Sequence, residues 1–192
     1  TREGRATPVT VAGVERHCSI DTLPRPERGR PRGLYGNLFA SATAQQLKDA
    51  VDVLTPPTIS NIVAMAAPYP SSGRYTAAQI ASVVNTAYTA FAAAKQETTR
   101  LHGDSASTTV HSGHWGCGAF GGNRKLMTIL QLLSADLANV DLCFWAFDEA
   151  GSRIASEALL HYQQLIAKSA SVAVLLQELE SEGYKWGRSD GN

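Results

Sequence analysis

The sequence is poor in cysteine: Cys18, Cys117 and Cys143 are the only three in 192 residues. Three cysteines cannot build a disulfide framework, so a reducing, intracellular setting is expected, cytoplasm or nucleus. The chain also lacks net charge, with 17 basic and 17 acidic residues. A neutral chain has no broad field for polyanions, so direct nucleic-acid binding is not expected and any anion must be held by a local device. No apolar run is long enough for a bilayer span, so no membrane partner is expected. No charged-then-apolar leader follows Thr1, so no signal peptide is expected, and the missing start methionine allows a processed or truncated chain. What is present is globular in composition, 44% hydrophobic and 18% charged. The length fits one domain, residues 1–192, large enough to bury a full core.

Residues 1–35 hold seven arginines against four acids, plus four prolines. Only residues 8–13 read as a strand there, and Pro24 and Pro26 disfavour a helix. Residues 1–40 are therefore expected to be an irregular basic segment. Its plain reading is a solvated loop; a basic arm for a polyanion is the sharper one. Residues 41–54 read as a helix ended by Pro56 and Pro57, and residues 61–67 as a short buried strand. From Thr76 a helix is expected, with Ile80, Val83, Val84, Ala87, Tyr88 and Phe91 on its inner face. A strand over 107–112 precedes a glycine-rich segment. A helix over 124–137 follows, striped by Leu126, Ile129, Leu130, Leu133 and Leu137. Residues 141–147 are apolar on both parities, as in a strand covered on both faces. Residues 152–168 and 171–182 read as C-terminal helices. Strands alternating with helices make an α/β fold with a parallel or mixed sheet.

The chemistry is concentrated in residues 110–123, VHSGHWGCGAFGGN, between a strand and a helix. Gly116, Gly118, Gly121 and Gly122 crowd seven positions. Glycine permits positive φ and close approach of a ligand to the backbone. Amides freed there, beside a helix N-terminus, favour phosphate. Four glycines exceed the one or two that a turn needs, which points to a phosphate or diphosphate loop rather than a structural turn. Asn123 is the expected helix cap, and Arg124 and Lys125 could add positive charge. The same string fits the G-x-G-x-x-G dinucleotide fingerprint, which leaves an NAD(P)-binding oxidoreductase as one alternative. That reading needs an acid at the end of the next strand; Asp141 starts that strand and Asp148 ends it, while Phe120 is bulky for such a turn. His111, His114 and Cys117 have a spacing that hints at zinc, but a strand-then-loop path does not put them on one face. Cys117 beside His114 could be a nucleophilic thiol, against a small packing cysteine.

The run GHWGCGAFGG (113–122), with KLMTILQLLSA (125–135) and LCFWAF (142–147), resembles the poly(ADP-ribose) glycohydrolases, a branch of the macrodomain fold. NIVAMAAPYP (61–70) and VVNTAYTAF (83–91) resemble the preceding strand and helix. VTVAGVERHCS (9–19) resembles, more faintly, the strand after the family's catalytic segment. The resemblance implies a macrodomain-like mixed sheet flanked by helices, with an ADP-ribose-binding core over 60–150 and C-terminal helices over 151–192. It implies ADP-ribose, free or as poly(ADP-ribose) on modified proteins, as the ligand, without a cofactor or metal. The residues it assigns to ADP-ribose are His114, Gly116, Cys117, Gly118, Ala119, Phe120, Gly121 and Gly122, with Phe120 against the ribose and Phe147 stacked on adenine.

The family's catalytic signature, a GGG loop followed by Gln-Glu-Glu, has no counterpart in these 192 residues. Its glutamic acid protonates the departing ribose oxygen, and a glycosidic bond needs such an acid beside an oxocarbenium-like centre. The nearest string, Ala44-Gln45-Gln46, carries amides instead. Asp148 and Glu149 are acids expected near the pocket rim, and the position of the family's acceptor-side tyrosine falls on Leu23. The catalytic residues are therefore unknown. Two expectations follow: a glycohydrolase whose N-terminal catalytic segment must be supplied, or a non-catalytic ADP-ribose-binding module.

Overall fold

The computed structural model describes residues 6–146 and 148–190. The chain divides into two compact units, residues 11–62 and a larger one formed mainly by the residues from 63 onward. Among the described residues, no helix is long and apolar enough to cross a membrane.

In the smaller unit, strand β1 (Val9–Ile20) pairs with strand β2 (Val51–Ala64) as a two-stranded sheet. The Asp21 amide donates to the Ala50 carbonyl (2.8 Å) and the Gly13 amide to Asn61 Oδ1 (2.9 Å), so the strands run in opposite directions. Between them lie a 3-10 turn at Pro26–Arg28 and two short helices, α1 (Asn37–Ala40) and α2 (Ala44–Lys48).

Three expectations are corrected in this unit. The basic segment 1–40 is not irregular throughout, since β1 extends to Ile20. The helix read over 41–54 is only α2, opened by a Thr43–Gln46 capping box; from Val51 the chain is strand. The β-branched Val51 and Val53 favour that outcome. Pro56 and Pro57 lie inside β2 instead of marking its boundary. Adjacent residues of a strand aim their amides to opposite sides, so one of the two prolines falls on the ribbon's open edge, where no ladder bond is lost, and the other gives up one rung toward β1. The buried strand expected at 61–67 is the tail of β2, and Ile62 is exposed.

The larger unit is built around helix α4 (Arg124–Ala138), which packs on α3 (Ala77–His102) and α5 (Glu149–Lys168). Helix α6 (Val172–Ser181) packs on α3. Strands β3 (Thr109–Ser112) and β4 (Asp141–Phe144) pair in parallel, Thr109 opposite Asp141 and Ser112 opposite Phe144. The expected α/β class holds: small sheets accompanied by helices, with β3, α4 and β4 forming one strand–helix–strand unit.

The helices follow from their sequence. Thr76 and Gln79 form a capping box at the start of α3, satisfying two orphan backbone donors. Ile80, Val83, Val84, Ala87 and Phe91 of α3 are buried, as are Leu126, Ile129, Leu130 and Leu133 of α4. Tyr88 and Leu137 were expected on those inner faces but are 42% and 43% exposed. Covering both faces of 141–147 was also too generous: β4 ends at Phe144 and Trp145 is 65% exposed. Tyr162 of α5 donates to Asp136 of α4 at 2.5 Å, fastening the two helices at their shared surface.

The smaller unit is held by one acid. Asp21 accepts from Arg25 Nε at 2.9 Å and from Arg30 Nη2 at 3.0 Å, and Arg30 is 1% exposed. Hydrogen bonds from Arg25 and Arg30 hold the Asp21 carboxyl well below the usual carboxylate range, to about 2. Two of the seven N-terminal arginines are thus internal counter-ions. A lowered carboxylate pKa stabilises the fold above the ordinary carboxylate range, and that contribution disappears as pH falls through about 2. Asp21→Asn should destabilise the protein at neutral pH and flatten its stability loss between pH 4 and 2. Thermal melts followed by circular dichroism across that range check both.

Candidate functional site

The parallel strands β3 and β4 place their carboxyl ends together. In open α/β sheets that edge is where ligands bind, because loops and helix N-termini converge there. The glycine-rich segment leaves Ser112 at the end of β3 and enters α4 at Asn123, whose side chain caps the helix by accepting from the Leu126 amide at 3.1 Å. The expected N-cap is therefore in place.

The loop closes on itself. The Cys117 amide donates to the His114 carbonyl (3.1 Å), Gly121 to Gly118 (2.9 Å) and Gly122 to Gly116 (2.8 Å). Gly116 and Gly121 have φ of +73° and +64°, which side-chain-bearing residues rarely adopt. A Cβ on Gly122 would sit 2.6 Å from the Gly116 carbonyl oxygen. Three of the four glycines thus have a conformational or packing reason of their own. Residues 118–121 form a tight turn with Ala119 and Phe120 at its centre. Among the described residues, the amides of Gly118, Ala119 and Phe120 have no hydrogen-bond acceptor. Runs of successive unpaired amides are a backbone feature that can attract an anion. Phe120 stands beside them, 42% exposed.

His114 through Gly122 are therefore brought together, although not all in the same role. The His114 ring meets Phe144 edge-on, 5.1 Å between centroids. Both its nitrogens are buried and, among the described residues, without a hydrogen-bond partner. Burial, helped by the nearby Arg124 guanidinium, pushes its pKa down and favours the neutral ring. Cys117 faces inward, and burial pushes its thiol up to about 12. A thiol so reluctant to ionise is a packing group and not a nucleophile. Phe147, expected against adenine, lies outside the described residues.

The alternatives lose their geometry here. His111 Nδ1 accepts from the Trp145 indole at 3.0 Å, so that nitrogen is engaged away from His114. Among the described residues, no three His, Cys, Asp or Glu side chains are grouped to hold a metal ion. For a dinucleotide site, Asp141 stands at the amino end of β4, opposite the loop. Asp148 caps α5, accepting from the Gly151 amide at 2.5 Å, and lies 3.7 Å from Arg124. Asp141 is thus at the wrong end of the strand for the fingerprint, and Asp148 is committed to its cap and ion pair.

Several supports were not picked out in the sequence. Gln131, fully buried on α4, donates to the Gly113 carbonyl (3.0 Å) and accepts from Ser112 Oγ (2.5 Å), fixing the root of the loop. The signal was available: Gln131 is a long polar side chain inside an apolar helical stripe. Tyr75 Oη accepts from the Asn123 amide at 3.0 Å, and burial raises the phenol to about 12, so it stays neutral. Trp186 stacks on Tyr75, centroids 4.3 Å apart. Trp115 packs against both apolar clusters of the core, with its indole nitrogen buried and, among the described residues, unpartnered. These partners are distant in sequence, so local pattern gave no sign of them.

A family model for poly(ADP-ribose) glycohydrolase, macro domain fold, matches residues 32–153. The match takes in β2, α3, β3, the closed glycine loop, α4 and β4. By that span and that arrangement, the chain belongs to the poly(ADP-ribose) glycohydrolase family, with its macro domain fold.

Proposed function

We propose that the 113–122 loop binds the diphosphate of ADP-ribose, free or within poly(ADP-ribose) on modified proteins. The observation that carries this reading is the run of unpaired amides at Gly118, Ala119 and Phe120, at the carboxyl end of a parallel strand pair. A diphosphate supplies the missing acceptors, and hydrogen bonds to a charged group are worth about 1.5–3 kcal/mol each. Phe120 lies against the proximal ribose. Phe147 stacks on adenine, an assignment that rests on resemblance alone. His114, neutral and buried edge-on against Phe144, contributes by packing at the start of the loop. Cys117, Gly116, Gly121 and Gly122 contribute by shaping the loop.

Cleavage of the ribose–ribose bond needs a carboxylic acid to protonate the departing oxygen while water takes the anomeric carbon. The 192 residues carry no GGG loop and no Gln-Glu-Glu. Asp148, which follows β4, is already engaged as a helix cap and ion-pair partner. Our reading is that this chain supplies the ligand-binding part, and that hydrolysis requires the catalytic segment to be added. The second reading is a binding module that holds ADP-ribose without cleaving it, favoured by the same missing signature.

Ala119→Pro removes one donor at a turn position where proline's φ is tolerated. It should weaken ADP-ribose roughly tenfold by calorimetric titration and leave the melting temperature nearly unchanged; equal affinity would overturn the loop assignment. Phe147→Ala should weaken ADP-ribose and leave ribose 5-phosphate unaffected, since base stacking on an aromatic is worth about 1–3 kcal/mol. The 192-residue chain incubated with poly(ADP-ribose) should release no ADP-ribose. Turnover by this chain would mean that one of its own acids performs the protonation.

A further inference from the structure

The segment after α6 runs back across the glycine loop. The Tyr184 carbonyl accepts from the Tyr75 amide (2.9 Å), and the Trp186 amide donates to Gly73 (2.9 Å). The Asn123 side chain donates to the Lys185 carbonyl at 3.0 Å. Beyond Trp186 the contacts pass to the loop itself. The Gly187 amide donates to the Gly121 carbonyl at 2.7 Å, and the Asp190 amide approaches the Gly118 carbonyl at 3.4 Å. The fit is close: a Cβ on Gly121 would lie 3.1 Å from the backbone of Arg188 and Ser189. This strap lies outside residues 32–153, so the family match assigns it nothing.

We infer that the strap Gly187–Asp190 is a positioning element, which aims the loop's amides at an anionic ligand by holding the carbonyls on the loop's other side. The argument is peptide geometry. In a trans peptide the N–H points opposite the C=O. The Gly118 carbonyl, turned toward Asp190 and Gly121, therefore directs the Ala119 amide the other way. The Gly121 carbonyl, held by Gly187, directs the Gly122 amide toward Gly116, where it closes the loop. Without the strap, the Gly118–Ala119 peptide keeps only the turn's own bond and can rotate. A flipped peptide would present a carbonyl where an anion requires a donor. Gly187 and Asp190 act on the loop through their main-chain amides.

The inference rests on the diphosphate reading of the loop. Asp190→Pro and Gly187→Pro each remove one strap donor, and Asp190→Ala retains its donor while changing the side chain. The full chain and the three variants are titrated with ADP-ribose, ADP and adenosine, and their melting temperatures are compared. Each proline variant should bind ADP-ribose and ADP three- to tenfold more weakly, with adenosine unchanged. Asp190→Ala should match the unaltered chain throughout. Wild-type affinity in both proline variants overturns the inference and leaves the loop reading standing. So does a parallel loss for adenosine, which would mark general damage to the site. An unaltered chain that binds no ADP-ribose overturns both.

Discussion

A single buried amide side chain underlies the arrangement of the glycine loop. Gln131 sits inside α4 with no solvent contact, yet it grips the last residue of β3 and the first of the loop. Burying an amide is unfavourable unless its donors and acceptors are met. Here they are met by Ser112 Oγ, the Gly113 carbonyl and the Met127 carbonyl. The core helix and the loop root are therefore coupled: α4 cannot shift its register without leaving Gln131 unsatisfied. A loop that closes on itself through Cys117, Gly121 and Gly122 needs such an outside reference to keep a fixed direction.

The same logic governs the other end of the loop. Asn123 is fastened in three ways: its side chain caps α4, its amide reaches Tyr75, and its carboxamide reaches Lys185. Tyr75 in turn is pinned under Trp186. Between these anchors the loop needs glycine because it turns through positive φ and packs backbone on backbone, at Gly116, Gly121 and Gly122. On the proposed diphosphate reading this rigidity serves binding, since an anion site made of main-chain amides works only if the amides are already oriented when the ligand arrives.

Much of the larger unit was legible in the sequence because its signals are local. Thr76, Asn123 and Ser171 all cap helices where short-range chemistry places them. The inner faces of α3 and α4 follow the 3.6-residue period, with Tyr88 and Leu137 as the exposed exceptions. The smaller unit was misread because its signals conflict. Residues 41–54 contain a good helix start, but the strand that takes over at Val51 owes its form to pairing with residues some 30 positions or more away. In the site, the loop was visible from its glycines, whereas Gln131, Tyr75 and the strap depend on long-range contacts. The excess of glycine also had a second cause, close packing within the loop, that composition could not separate from ligand approach.

The tandem prolines of β2 bear on how the ribbon behaves in company. Val53 and Ile59 flank them and are 76% and 65% exposed, a combination that elsewhere would invite strand-on-strand stacking between molecules. Because successive residues of a strand direct their amides to opposite sides, Pro56 and Pro57 remove one rung from each side at the same height. An incoming chain seeking to extend the ribbon along β2 meets a missing donor midway, which interrupts pairing on that edge.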